Sequence, residues 1–231
     1  DKHWSRGLGD VYKRQLEVLK GINMDVKEGE LVSLMGPSGC GKSTLLNIIG
    51  GLLEADSGGI SLGSFKYGTK PPNRVVDVRR SGVGWIFQDF HLVDRLDALD
   101  NVAFSLELSG MSSSEAEGRA MDALTRVGLA DRMNFIPDQL SGGQQQRVAV
   151  ARAISGSRPL ILADEPTGNL DVKSGEEVIK LFKDLCANDG LSVLMVTHDP
   201  MLASMADRML LLKDGVTAAS DIRSAWGIEE E

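Results

Sequence analysis

A glycine-rich stretch between two apolar segments limits what this chain can fold into more than any other feature of the sequence. The stretch, Gly36 to Thr44 ("GPSGCGKST"), follows the apolar run Leu31 to Met35 and precedes the apolar run Leu45 to Leu53. These runs predict a short strand and a helix. Glycines at such a turn let successive backbone N–H groups point inward at a phosphate, and the helix dipole favours the negative charge. The sequence therefore predicts a phosphate-binding P-loop within an α/β fold.

The P-loop supplies the first set of candidate site residues. Every member of the loop is predicted to bind nucleotide phosphate: Gly36, Pro37, Ser38, Gly39, Cys40, Gly41, Lys42, Ser43 and Thr44. In this motif the lysine reaches the β- and γ-phosphates, and the hydroxyl that follows it holds Mg²⁺. The alternative is a glycine-rich turn with an unrelated lysine, which the strand–loop–helix context disfavours. Cys40 is either a reactive thiol or a small space-filling residue, and the second interpretation is favoured.

A second apolar strand ends in two acidic residues. In "LILADE", Asp164 and Glu165 directly follow the apolar residues 160–163. P-loop nucleotidases hold Mg²⁺ with an aspartate at this place, so Asp164 is a candidate metal residue. Glu165 follows it at the strand tip and is a candidate general base for a hydrolytic water. The alternative is an acidic turn before Pro166, which the presence of a P-loop disfavours.

Three further polar residues are expected at the same edge of the sheet, because ligands bind at the carboxyl ends of parallel strands. Gln88 ends "GWIFQ" and is a candidate for binding Mg²⁺ or orienting water. His198 follows "VLMVT" and is a candidate for bonding the γ-phosphate, although a lone histidine is more often structural. Asp171, in "GNLD", is an N-cap of the following helix, a residue of the site, or both.

The pattern of apolar and turn residues predicts the other elements. Strands are predicted in the alternating segment Leu16 to Val26, in Gly58 to Ser64 in an antiparallel setting, in Gly82 to Gln88, and in residues 192–196 and 208–212. Helices are predicted from a capping box at Ser112 and Glu115 to a cap at Gly128, in the stretch that ends at Gly156, in Val172 to Ala187, and in Met201 to Ala206. A turn is predicted at Lys27 to Glu30. Strands separated by helices indicate a mostly parallel sheet.

These elements predict one domain over residues 16–231. Residues 16–88 and 157–231 are expected to form its core with a β subdomain, and the helical segment 89–156 is expected to be an inserted subdomain. Residues 1–15 are excluded from the domain and interpreted as non-native, because "LGDVYKRQ" resembles translated sequencing-adapter read-through.

A second glycine pair opens a predicted helix a hundred residues after the first. In "LSGGQQQRVAVARA", Leu140 to Ala153, Ser141 precedes Gly142 and Gly143. Serine is a good N-cap, and the free N–H groups of a helix start favour an anion. From these residues alone a simple helix start is the favoured interpretation.

Taken together, the motifs resemble the nucleotide-binding subunit of ATP-binding cassette (ABC) transporters. The resemblance rests on the P-loop, Gln88, "LSGGQ", "LILADE", "NLD" and "THD" in this order, and it covers about Leu16 to Gly215. Its most specific part is "LSGGQ" ahead of the second carboxylate motif. It implies a P-loop NTPase fold with a RecA-like, mostly parallel sheet core, an antiparallel β subdomain and an inserted α-helical subdomain. It also implies an ATPase that uses ATP and Mg²⁺.

The resemblance implies a role for each matching residue. Glu165 would be the general base, with His198 and Gln88 as further catalytic residues, and Asp171 would lie in a D-loop at a dimer interface. The metal residues would be Ser43, Gln88 and Asp164. The signature residues, which would cap ATP held by a second subunit, are Leu140, Ser141, Gly142, Gly143 and Gln144. That subunit would be a second copy of this chain or a homologous ATPase, and ATP would favour the closed dimer because it contacts both subunits. Tyr12 is the only nearby aromatic candidate for stacking on adenine.

Several longer stretches resemble one group within this family. "GPSGCGKSTLLNIIGGL", "GWIFQDFHLV", "ADEPTGNLD" and "VTHDP" are similar to the group that serves lipoprotein release, macrolide export and antimicrobial-peptide export. This implies a separate membrane permease in contact with Asp89 to Val102, and a peripheral place on the cytoplasmic face of the cell membrane. Phe90, Leu92 and Val93 would be exposed for that partner or buried locally. The alternative function is an ATPase of a cell-division or cell-wall complex that transmits force without transport.

Composition argues against other classes of protein. The formal net charge of −8 disfavours binding to nucleic acid. The sequence has neither the heptads nor the Cys/His clusters of the chromosome and DNA-repair ATPases that share the signature. Two cysteines make no disulfide framework, and no apolar run reaches the length needed to span a bilayer.

Overall fold

Eight strands and seven α-helices make up the described part of the chain, residues 18–68 and 75–218 of a computed structural model. The strands are β1 (Leu31–Met35), β2 (Gly59–Leu62), β3 (Phe65–Gly68), β4 (Val83–Phe87), β5 (Leu160–Asp164), β6 (Ser192–Val196), β7 (Arg208–Lys213) and β8 (Val216–Ala218). The helices are α1 (Lys42–Ile49), α2 (Val75–Asp77), α3 (Ala98–Leu108), α4 (Ser113–Arg126), α5 (Gly142–Ile154), α6 (Val172–Asp189) and α7 (Pro200–Ser204). A π-helical turn, Val78–Gly82, continues α2.

The main sheet has the strand order β4-β5-β6-β1-β7-β8 and is parallel except for the β7–β8 pair. In its centre, Leu34 pairs with Val196 on one side and with Leu210 on the other. Every residue of β1 and β6 is buried, as expected for parallel strands that are covered on both faces. The predicted mostly parallel sheet is therefore confirmed. Because β1, β4, β5 and β6 run in the same direction, their carboxyl ends meet at one edge.

Two apolar clusters cover the two faces of this sheet. Along β6, Leu194 and Val196 belong to a cluster with α1. Val193 and Met195 alternate with them and belong to a larger cluster, which includes Phe182 of α6 and reaches α3, α4 and α5. The alternation follows from the two-residue period of a strand. The fold therefore has helices on both faces of the sheet.

The helical segment between β4 and β5 follows the predicted pattern closely. Ser112 accepts a hydrogen bond from the Glu115 N–H at 3.4 Å and caps α4. The Glu115 carboxylate lies 3.0 Å from Arg119, one turn further on. Gly128 ends the helix with φ of 76°, and its N–H donates to the Thr125 carbonyl. The predicted caps at both ends of this helix are thus present.

The predicted strand at Leu16 to Val26 is wrong for the residues that the structure describes. Residues 18–26 belong to no strand of either sheet. Ile22, Met24 and Val26 are nevertheless half-buried against the cluster that covers α1, and exposed residues alternate with them. Alternation reports contact on one side of an extended chain, but a strand also requires a hydrogen-bonded neighbour. Leu16 lies outside the described residues.

The helix predicted to extend to Leu53 is also shorter than expected. α1 ends at Ile49, and Gly51 has φ of 68°, in the left-handed region. The N–H groups of Leu52 and Leu53 both donate to the Asn47 carbonyl, which closes the end of the helix. The glycine pair after Ile49 stops the helix because glycine readily adopts the left-handed conformation.

The antiparallel setting predicted for Gly58 to Ser64 is confirmed, because β2 pairs antiparallel with β3. β3 and β8 are short, and the sequence did not predict either of them. The predicted turn at Lys27 to Glu30 is present, with the Glu30 N–H donating to the Lys27 carbonyl at 3.2 Å. Residues 1–17, including Tyr12, lie outside the described part of the chain. The division into core and subdomains, and the exclusion of residues 1–15, stay predictions.

Candidate active site

The P-loop lies between β1 and α1, where the sequence predicted it. Lys42, Ser43 and Thr44 are the first residues of α1, and Gly41 is its N-cap with φ of 105°. Gly36 has φ of 154°, and a Cβ at this position would lie 2.2 Å from the Leu212 carbonyl oxygen. A side chain therefore cannot fit at Gly36 without moving β7. The glycines follow from the close approach of the loop to the sheet.

Lys42 lies over the loop that precedes it. Its Nζ donates to the Gly36 carbonyl at 2.7 Å and to the Pro37 carbonyl at 3.0 Å. The loop thus holds a positive charge beside the N–H groups of a helix start, and both attract phosphate oxygens. Cys40 is buried and belongs to the apolar cluster beside α1, which agrees with its interpretation as a space-filling residue.

Asp164 ends β5 next to the P-loop. Burial raises the pKa of its carboxyl group above the usual aspartate value, and the negative charge of Glu165 adds to the shift. The nearby Ser43 hydroxyl and the charge of Lys42 oppose this shift of the Asp164 pKa. A partly buried carboxylate beside a hydroxyl is a suitable pair of oxygen ligands for Mg²⁺, which also uses water and substrate phosphates. Ser43 and Asp164 therefore fit a magnesium ion.

Glu165 follows Asp164 in a strained conformation. Its φ is 51°, and its N–H donates to the Val196 carbonyl at 3.0 Å while its carbonyl accepts from the Gly168 N–H at 3.0 Å. The Glu165 Oε2 lies 2.9 Å from the Nδ1 atom of His198. Strained residues that the surroundings hold in place are found at active sites. The pair can take a proton from a water molecule, with the histidine orienting the carboxylate.

Gln88 contacts a residue that sequence reasoning did not single out. Its Nε2 donates to the Asn169 Oδ1 at 3.0 Å. The Nδ2 of Asn169 donates to the main-chain carbonyl of Gln88 at 3.1 Å and to the Asp89 Oδ1 at 2.8 Å. An asparagine two residues before a helix N-cap is an ordinary loop residue in a sequence, so no sequence signal separates Asn169 from its neighbours.

Asp171 caps α6, as one of its two predicted roles requires. Its Oδ1 accepts from the Ser174 N–H at 3.0 Å and its Oδ2 from the Ser174 hydroxyl at 2.6 Å. The bond from the Ser174 hydroxyl is the main cause that lowers the pKa of the Asp171 carboxyl group. A role at a dimer interface stays a prediction.

The signature residues open α5 with a complete capping box. Ser141 Oγ accepts from the Gln144 N–H at 3.3 Å, and Gln144 Oε1 accepts from the Ser141 N–H at 3.0 Å. The sequence predicted the serine cap but not the part that Gln144 takes in it. A Cβ added at Gly142 would lie 3.4 Å from Leu170, and one at Gly143 would lie 3.3 Å from Ser174. The signature glycines therefore lie beside the segment that leads into α6.

The turn after β4 shows features of both alternatives for Phe90, Leu92 and Val93. Leu92 packs against the larger apolar cluster, and Phe90 is half-buried. The Val93 side chain is 47% exposed.

None of the helices in residues 18–68 and 75–218 has the length and apolar character needed to cross a bilayer.

Comparison with known sequences identifies the family of the chain. The model of the ABC transporter family matches residues 19–168. The ABC transporter ATP-binding protein MJ0796 of Methanocaldococcus jannaschii is 46% identical over 217 residues, covering 91% of this chain and 92% of that protein. YvrO of Bacillus subtilis, also described as an ABC transporter ATP-binding protein, is 44% identical over 203 residues and 88% of each chain. The macrolide export ATP-binding/permease protein MacB of Psychrobacter cryohalolentis is 44% identical over 90% of this chain but only 31% of its own length.

Comparison with solved structures agrees with the fold. A dimeric, post-hydrolysis structure of MJ0796 bound to ADP and Pi matches with a TM-score of 0.76 at 43% sequence identity. The match covers 88% of this chain and 90% of that one. The P-loop NTPase fold and the resemblance seen in the motifs are thereby confirmed. The chain belongs to the ABC transporter ATP-binding family and is an ATP-binding cassette ATPase.

Proposed function

We propose that this chain powers a separate membrane subunit in export or in the release of lipoprotein or peptide, through ATP-driven closure of a dimer of cassettes. The observation that carries the hydrolytic step of the proposal is the pairing of Glu165 with His198 at 2.9 Å, one residue beyond the partly buried Asp164 beside the P-loop. This edge of the sheet combines a phosphate-binding loop, a metal-binding pair and a candidate base. That combination suits the hydrolysis of a nucleoside triphosphate.

Each residue has a proposed task in the reaction. The P-loop N–H groups and Lys42 hold the phosphates of ATP, and Ser43, Asp164 and Gln88 hold Mg²⁺. The ion supplies charge neutralisation at the β- and γ-phosphates. Glu165 takes a proton from the attacking water, and His198 orients the Glu165 carboxylate through its Nδ1.

Dimer closure is proposed from the position of the signature. Ser141 to Gln144 form a capped helix start, whose N–H groups favour an anion. The signature glycines lie close to Leu170 and Ser174, so that a Cβ added at either would come within 3.4 Å of one of these side chains. MJ0796, which is similar over most of the chain, is dimeric in a structure bound to ADP and Pi. A nucleotide that contacts the P-loop of one subunit and the signature of another favours the closed state by that difference in contact.

The proposed membrane partner rests on exposed apolar side chains around the predicted contact. Val93 is 47% exposed, and Phe104 and Leu108 of α3 are 46% and 70% exposed. Phe104 and Leu108 are four residues apart and share one face of α3, and exposed apolar side chains on one face mark surfaces that bind partners. MacB, one of the relatives, is an ATP-binding/permease protein, and the cassette is similar to a part of it. The segment Asp89 to Val102 is accordingly the proposed permease contact, at the cytoplasmic face of the membrane.

The variant Glu165→Gln tests the proposal. It removes the base but keeps the volume, so we expect ATP to bind without turnover and to hold two subunits together. Size-exclusion chromatography with light scattering should show a dimer of the 24.8 kDa chain in ATP and Mg²⁺, and a monomer without them. Lys42→Ala in the same background is the control and should abolish the dimer. A Glu165→Gln protein that binds ATP but stays monomeric would refute the closure mechanism.

A further inference from the structure

We propose that Asn169 is a positioning residue for hydrolysis, because its amide determines which atom of the Gln88 side chain faces the metal and the water. The inference rests on the proposed function, in which Gln88 belongs to the magnesium site. Asn169 lies between Glu165 and the N-cap of α6, and it makes three hydrogen bonds, all to Gln88 and Asp89. The two segments that it joins are 81 residues apart in the sequence.

The orientation of both amides follows from the partners of Asn169. The main-chain carbonyl oxygen of Gln88 and the carboxylate of Asp89 are hydrogen-bond acceptors, and they lie 3.1 Å and 2.8 Å from the Asn169 Nδ2. The atom of Asn169 that faces them must therefore be its NH₂ group. Its Oδ1 is then directed to the Gln88 amide, and an oxygen accepts only from the NH₂ group of that amide, at 3.0 Å.

This leaves the Gln88 Oε1 as the side-chain atom that can bind the metal or accept a hydrogen bond from water. Mg²⁺ takes oxygen ligands, and an amide NH₂ group cannot serve as one. Gln88 is exposed, so without a partner its terminal amide would sample both orientations, because the last torsion of glutamine is broad and roughly two-fold. Asn169 removes that freedom before the metal binds.

Gly168 supports the same arrangement by packing. A Cβ added at Gly168 would lie 2.9 Å from the Gln88 Cδ, 3.0 Å from its Nε2 and 3.1 Å from its Cγ. The Gln88 side chain therefore lies directly against the Gly168 backbone. An alanine at this position would displace the flexible end of Gln88 from Asn169 while leaving every hydrogen-bonding group in the protein.

Two variants and one control test the inference. Asn169→Ala removes the partner of Gln88, and Gly168→Ala moves Gln88 away from it. Asn188→Ala, at the exposed end of α6, is the control. In the Glu165→Gln background, the protein is mixed with an equal amount of ATP, so that little unbound ATP chelates the ion, and the binding of Mn²⁺ is followed by the electron paramagnetic resonance of the free ion. Both variants should weaken Mn²⁺ binding by about fivefold, the factor expected for one neutral hydrogen bond, and leave metal-free ATP binding unchanged.

A double-mutant cycle separates positioning from a general loss of structure. If Asn169 acts through Gln88, Asn169→Ala should cause no further loss of Mn²⁺ affinity or of ATP turnover in a Gln88→Ala background. An equal loss in both backgrounds would overturn the inference. The inference would also be overturned if Asn169→Ala or Gly168→Ala binds Mn²⁺ as tightly as Asn188→Ala while the parent chain hydrolyses ATP. A parent chain that binds no metal with ATP and hydrolyses none would overturn the proposed function itself, and this inference with it.

Discussion

Replacing Arg152 with alanine tests how the turn after β4 is held in place. Phe90 and His91 have φ of 55° and 50°, so two consecutive residues with side chains are in the left-handed region. Arg152, in the last turn of α5, donates to the Phe90 carbonyl at 2.6 Å and also to the His91 carbonyl. Burial lowers the pKa of its guanidinium, which is partly withdrawn from water. One side chain thus holds two strained residues against the helix that begins with the signature.

The expected loss can be worked out from these contacts. Hydrogen bonds to a charged group contribute about 1.5 to 3 kcal/mol each, and each left-handed residue stores about 1 kcal/mol of strain. Because the turn is partly exposed, water replaces part of what the two carbonyls lose, so Arg152→Ala should lower the free energy of unfolding by about 2 kcal/mol. For a chain of this size the loss corresponds to a fall in Tm of about 4 to 8 °C. Urea unfolding without nucleotide measures it.

Arg119→Ala is the matched control for this measurement. Arg119 also lies on a helix of the segment between β4 and β5, but it forms an exposed pair with Glu115, four residues earlier. Such pairs contribute about 0.5 kcal/mol or less. If Arg152→Ala loses no more stability than Arg119→Ala, the turn does not depend on the arginine and the reasoning is refuted. Arg152→Lys keeps the charge without the planar pair of donors. Its loss in the free energy of unfolding should lie between the losses of Arg152→Ala and Arg119→Ala.

Substitutions at three other positions have consequences that can be measured directly. Burial raises the pKa of Asp164, so its ionised form destabilises the nucleotide-free fold at neutral pH. Asp164→Asn should raise the free energy of unfolding at pH 7, and this gain should shrink as the pH falls from the raised pKa to the ordinary aspartate value. Metal-dependent ATP hydrolysis by the same variant should fall. A variant that is less stable than the parent chain at pH 7 would contradict the expected sign. Gly118→Ala, in the middle of α4 with open space around its Cβ, should stabilise the chain by about 0.5 to 1 kcal/mol in urea unfolding. Gly50→Ala would place a Cβ 2.1 Å from the Trp85 ring and should destabilise the chain by about 1 to 3 kcal/mol. Gly118→Ala and Gly50→Ala should therefore change the free energy of unfolding in opposite directions.

The sequence alone was sufficient where chemistry depends on neighbours along the chain. β1 covers the predicted Leu31–Met35, because a strand buried on both faces is a continuous apolar run. Asp164 and Glu165 were predicted at a strand end by the same reasoning, and the parallel direction of the strands places them beside the P-loop. The N-caps at Ser112 and Ser141 depend on residues three positions away, and they were found in the same way.

Only the tertiary structure decided how these pieces meet. The periodicity of residues 18–26 matched a strand, but the segment joins neither sheet and forms only isolated hydrogen bonds, such as that from the Lys20 N–H to the Gly215 carbonyl. Arg152 meets the carbonyls of Phe90 and His91 across 62 and 61 residues of sequence, and Gln88 meets Asn169 across 81. Periodicity and caps report the torsion angles and burial of a single segment. The partner of a polar side chain depends instead on how the sheet brings distant segments together, which no local pattern encodes.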